Sequence, residues 1–163
     1  RPHAEEADRS NDRCGISTIA LCVDGSGRNT DASRWCASTA AALDAKVVAV
    51  AAVKPFFEWF PASDPLSWHR QFEQEARTWL EPLEEAGVAV RTRITPVDEP
   101  AATLLDAARD AQMIVVGTQG LSKLTGMRLG GTAMRLLSHT AVPLVMVPPG
   151  SVRSSDARTG VRP

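Results

Sequence analysis

Four runs in this chain are too uniformly apolar to lie on a surface: ISTIALCV at 16–23, KVVAVAAV at 46–53, MIVVG at 113–117 and VPLVMV at 142–147. Such runs suit strands covered on both faces. A fifth run, VAVRTRIT at 88–95, alternates apolar and polar residues and puts Arg91 and Arg93 on one side. That pattern predicts an edge strand with one wet face.

Between the runs the apolar spacing changes to that of a helix. Asn29 or Thr30 can cap a helix whose apolar positions are Ala32, Trp35, Cys36, Ala40 and Leu43. Ser63 or Asp64 can cap a second, with Pro65 in its first turn. Trp68, Phe72, Trp79, Leu80 and Leu83 share its apolar side, Pro82 would kink or loosen its last turn, and Gly87 stops it. Glu99-Pro100 opens a third helix with Ala101, Leu104, Leu105 and Ala108 on its inner face. A fourth lies between MIVVG and VPLVMV. The resulting β-α-β-α-β-α-β-α-β order predicts an α/β domain, an open doubly wound parallel sheet with helices on both faces. Ligands of such sheets bind beyond the C-terminal strand ends, where the strand order reverses.

At 163 residues the chain is long enough for one such domain without a disulfide or metal. Residues 15–149 are expected to form it, with 1–14 a disordered lead and 150–163 a disordered tail. A net charge of −1 gives no electrostatic reason to expect nucleic acid or an anionic membrane as partner. No apolar run reaches membrane-spanning length. Cys14, Cys22 and Cys36 match no zinc or redox spacing. Cys22 and Cys36 read as inert core thiols, which suits a reducing cytoplasm. His69 and His139 have no partner at metal-ligand spacing.

The segment TQGLSKLTGMRLGGT that follows MIVVG carries the chemistry. Gly117, Gly120 and Gly130 are spaced Gly-x2-Gly-x9-Gly across a strand end, a loop and a helix start. A helix N-terminus presents backbone N–H groups and the positive end of its dipole, and a glycine loop lets backbone approach an anion closely. The arrangement predicts a phosphate site. Thr118 and Gln119 read either as lining it or as ordinary loop residues, and Lys123 and Arg128 as phosphate-neutralising or merely solvated. The same choice holds for Asp24, Gly25 and Ser26 after the first strand, since Asp-Gly-Ser-Gly is also an ordinary turn.

This spacing, with VDGS at 23–26, RW at 34–35, EPAATLLDAARDA before the glycine loop and HTAVPLVMVP at the end, resembles the universal stress protein family over roughly residues 16–148. The family's nucleotide-binding signature is Gly-x2-Gly-x9-Gly followed by Ser or Thr. Here the next residue is Gly131 and the hydroxyl comes at Thr132; alternatively the loop is one residue longer and Gly131-Thr132 is the terminal pair.

The resemblance implies a five-stranded sheet of order 3-2-1-4-5, as in adenine nucleotide hydrolase-like folds. It implies an adenine nucleotide, ATP alone or with Mg2+. Asp24 would contact the nucleoside, the backbone near Ala52 the adenine, and Gly117, Gly120, Gly130, Gly131 and Thr132 the phosphates. It also implies a homodimer through the last strand, Val142 to Val147. No catalytic set stands out: no Gly precedes Lys, no G-x-S-x-G elbow exists, and the Ser-Gly-Gly-x-Asp-Ser loop of related pyrophosphatases is absent. A regulatory nucleotide-binding stress-response protein is therefore expected, not an enzyme. A non-nucleotide interaction module and a slow ATPase are the alternatives. The Pro- and aromatic-rich stretch at 55–65, with Phe56, Phe57, Trp59 and Phe60, reads as a local apolar plug, a lid or a partner surface.

Overall fold

The computed structural model describes residues 15–23, 30–53, 65–96, 100–118 and 130–152. Five strands alternate with four helices: β1 (Thr18–Val23), α1 (Thr30–Leu43), β2 (Lys46–Val53), α2 (Pro65–Glu85), β3 (Val90–Pro96), α3 (Pro100–Ala107), β4 (Met113–Gly117), α4 (Gly131–His139) and β5 (Leu144–Val147). The strands form one parallel sheet of order β3-β2-β1-β4-β5, as the resemblance implies. The expected lead and most of the expected tail lie outside the described residues, as do Cys14, Lys123, Arg128 and the stretch 54–64.

Strand alternation sends successive side chains to opposite faces, and each face has its own helices. Ile19, Leu21 and Val23 of β1 join Val47, Ala49 and Ala51 of β2 and Val115 of β4 under α1 and α2. Ala20 and Cys22 join Val50, Ile114 and Val116 under α3 and α4. Ile19 to Val23 are all buried, which is why β1 carries no polar side chain there and sits at the centre. The chain reverses direction across the sheet after β3, so β1 and β4 pair side by side although about 90 residues separate them in sequence.

The helix ends follow backbone chemistry. Gly87, at φ 67°, ends α2, and the Val88 N–H donates to the Leu83 carbonyl at 3.0 Å. The same closure ends α1, where the Ala45 N–H donates to Ala40 at 2.9 Å, but the left-handed residue is Asp44 at φ 55°. The buried side of α1 is Ala32, Ser33, Cys36, Ala37 and Ala40. Leu43, expected on that face, is 43% exposed, because the terminating turn carries the last residue away from the sheet. Of the α2 positions, Trp79, Leu80 and Leu83 are buried; the side chains of Trp68 and Phe72 lie outside the described residues. Pro82 is accommodated within α2, which runs on to Glu85.

At the N-terminal strand ends, the Gln112 side-chain oxygen accepts from the Ser17 N–H (3.1 Å), the Thr18 N–H (2.9 Å) and the Ser17 hydroxyl (3.0 Å). This pins the start of β1 to the start of β4. At the other end the chain continues beyond β5: the Gly150 N–H donates to the Asp31 carboxylate, and Val152 packs on the α1/α2 core.

Candidate functional site

The sheet brings the ends of β1, β2 and β4 to one edge. Val23, the last residue of β1, pairs with Ala51 of β2, so the ends of β1 and β2 stand side by side with Ala52 next in β2. Cys22 pairs with Val116 of β4, so Gly117 follows on the other side. Adjacent strands are about 4.8 Å apart, so β2, β1 and β4 span roughly 10 Å across the crevice, comparable with a nucleoside. Asp24, Gly25 and Ser26, and Gln119 and Gly120, lie outside the described residues. Ala52 is placed as backbone in β2, paired with Thr95.

The glycine loop is closed at its base. The Thr118 N–H donates to the Val147 carbonyl at 3.1 Å, extending the β4–β5 ladder by one residue. The Thr118 carbonyl then accepts the Gly130 N–H at 3.1 Å. Gly130 is extended, at φ −70° and ψ 157°, and its carbonyl accepts the first helical bond from Met134 at 3.0 Å. The Gly130 N–H is therefore committed within the protein. Its part in the site is to shape the loop base, while donors for a ligand must come from farther along.

Those donors are in the first turn of α4. The N–H groups of Gly131, Thr132 and Ala133 precede the first intrahelical bond and have no acceptor within the helix. No side chain caps this end, and no acidic residue occupies its first turn. At α1, by contrast, Asp31 lies in the first turn. Its own first turn therefore supplies no carboxylate to the positive end of α4. Gly131 is exposed, and a β-carbon built on it would meet nothing within 4 Å. Thr132 is half-buried, and its hydroxyl makes no hydrogen bond among the described residues.

Two features could not be found from local sequence. The Thr118–Gly130 clasp joins residues on either side of an eleven-residue loop. The Asp31–Gly150 bond joins α1 to the chain beyond β5 across 119 positions; an acidic residue in a first helical turn was its only local sign. The expected core thiols are buried: desolvation pushes both Cys22 and Cys36 up to about 12, with the neighbouring Cys36 adding to the rise at Cys22. They are protonated and unreactive at neutral pH. Among the described residues no cluster of His, Cys, Asp and Glu could hold a metal, and no helix is long and apolar enough to cross a membrane.

Known proteins share this architecture. A universal stress protein of Mycolicibacterium smegmatis is 30% identical over 153 residues, which is 88% of this chain and 52% of that protein. The chain thus spans about half the length of that relative. A crystal structure of a universal stress protein in complex with cAMP covers 83% of this chain and 98% of its own, at a TM-score of 0.65 and 22% identity. The universal stress protein from Archaeoglobus fulgidus in complex with dAMP covers 80% and 96%, at 0.60 and 16%. Residues 15–148 match the Universal stress protein family as a whole, and with the 3-2-1-4-5 sheet and the glycine loop leading into α4, the chain belongs to the universal stress protein family.

Proposed function

We propose that this protein binds an adenine nucleotide at the β1/β4 switch point, with ATP, alone or with Mg2+, as the leading ligand, and acts in a stress response through binding rather than turnover. The observation that carries this reading is the first turn of α4, whose N–H groups have no acceptor within the helix, which contains no acidic residue, and which starts at the C-terminal strand ends. Solved proteins of this fold in complex with cAMP and dAMP support an adenine nucleotide as the ligand class. In this reading the phosphates meet the N–H groups of Gly131 and Thr132 and the Thr132 hydroxyl, and the adenosine lies across β1 toward Ala52 and Asp24. Location in a reducing cytoplasm belongs to the same proposal and rests on the buried, unpaired thiols.

A homodimer through the last strand is part of the proposal. β5 is an edge of the sheet, and Leu144, Val145 and Met146 are only half-buried in the single chain. On neighbouring α4, Met134 and Leu137 are 43% and 49% exposed. An uncovered apolar edge is an aggregation hazard that a second copy would remove.

Calorimetric titration with ATP and AMP tests the nucleotide site, with Gly131→Asp as the decisive variant. The open space at Gly131 lets the variant fold, and a carboxylate in the first turn favours the helix. Micromolar ATP binding that weakens by about tenfold or more in this variant supports the site. A preference for AMP, with no effect of the variant, would remove the phosphates from α4. No binding of either nucleotide at millimolar concentration would leave the interaction-module reading, which the missing hydroxyl at Gly131 favours.

A further inference from the structure

The opposite end of the sheet holds a second cleft. It measures about 150 Å³ and is lined by Thr18, Val48, Arg91, Arg93, Ala107, Asp110 and Ala111. Thr18 begins β1, and Ala107 to Ala111 lead from α3 into β4, so the cleft lies at the N-terminal strand ends, away from the α4 terminus. Its floor is Val48. Arg91 and Arg93 pair in register with Val48 and Val50 and share the sheet face on which α3 packs. α3 covers β2 and leaves β3, the edge strand, to form the outer wall.

The charges on this wall are uncommitted. Neither Arg91 nor Arg93 makes an ion pair or side-chain hydrogen bond among the described residues, and the same holds for the Asp110 carboxylate. Arg109, in the turn after α3, is paired with Asp106 at 3.1 Å. Two arginines two residues apart on one strand are rooted about 6.6 Å from each other, a spacing that suits two separate carboxylates. Guanidinium forks recognise carboxylates bidentately. Asp110 makes the lining unfavourable for a bare polyanion and offers an acceptor for an ammonium group. The lining carries two positive charges and one negative, the mirror of an acidic amino acid.

We infer that this cleft binds a free acidic α-amino acid, with one carboxylate on Arg91, the other on Arg93, and the ammonium on Asp110. The site is separate from the nucleotide site and does not depend on it.

The test is titration of the full chain with glutamate and aspartate, followed by calorimetry or by NMR shifts of the Arg91, Arg93 and Asp110 amides, with succinate and inorganic phosphate as comparison ligands. Saturable millimolar binding of glutamate or aspartate, weakened about five- to tenfold in Arg91→Gln and in Arg93→Gln, is the expected result. Asp110→Asn should weaken the amino acid and strengthen succinate, a reversal that nonspecific loss of structure cannot produce. Absence of saturable binding overturns the inference. So does phosphate binding as tightly as glutamate, or binding indifferent to Asp110→Asn. ATP titration of the same variants should be unchanged, so failure of this site and failure of the nucleotide site read out separately.

Discussion

Gly131→Ser tests the α4 terminus most directly. Gly131 sits where the related signature carries a hydroxyl, is exposed, and leaves at least 4 Å of open space around a would-be β-carbon. The serine therefore needs no rearrangement. One added hydrogen bond to a solvent-accessible phosphate contributes about 1 kcal/mol, which is roughly a fivefold lower Kd for ATP. Replacing glycine in a helix also removes backbone freedom from the unfolded chain, a gain of no more than about 0.5 kcal/mol at the first helical position. For a chain of this size that raises the Tm by about 1–2 °C. Gly131→Ala separates the two effects, since it should reproduce the Tm rise without the affinity gain. Calorimetric titration and thermal melting of the three proteins decide the matter. Equal affinity in the serine and alanine variants, both folded, refutes the placement of phosphate at this turn. A fall in Tm in either refutes the open space.

Asp44 closes α1 in the left-handed region, at φ 55°, where glycine has no steric cost. Asp44→Gly should stabilise the protein by about 0.5–1 kcal/mol in urea unfolding, and a loss of stability would show that the aspartate side chain is needed there. The buried thiols predict an alkaline weakness. The unfolded chain releases their protons near the ordinary value of 9.0, while the folded protein holds them to about 12, so stability is full below the first value and falls as pH rises toward the second. Urea midpoints at about pH 8 and about pH 10 should differ more in the wild type than in the Cys22→Ala, Cys36→Ala double variant, and equal differences would contradict the burial argument.

Much of this architecture was legible in the residues because it is written in short-range periodicity. Ile19 to Val23 are apolar at every position, and the structure buries every one. VAVRTRIT alternates, and β3 is an edge strand with Arg91 and Arg93 on one face. Gly87 stops α2 because its left-handed φ is a local property of glycine. The strand order came from the family resemblance. The glycine spacing was read as running from a strand end to a helix start, and Gly117 and Gly130 do stand at the end of β4 and the start of α4.

The sequence by itself determined which segments are strands and helices, that β1 is covered on both faces, and where a phosphate could meet a helix end, while β5, equally apolar in sequence, lies half-buried at the sheet edge. Spacing of apolar side chains and local backbone preference act over a few residues and need no knowledge of the rest of the chain. Only the tertiary structure decided which donor at that helix end is taken up within the protein. The Thr118 carbonyl takes the Gly130 N–H, while those of Gly131 and Thr132 have no acceptor within the helix. It likewise decided that Asp31 serves Gly150, that Leu43 faces water while Ser33 is buried, and that Arg91, Arg93 and Asp110 share one cleft. Each of these depends on contacts between distant residues, whose geometry exists only once the sheet has assembled and fixed its register.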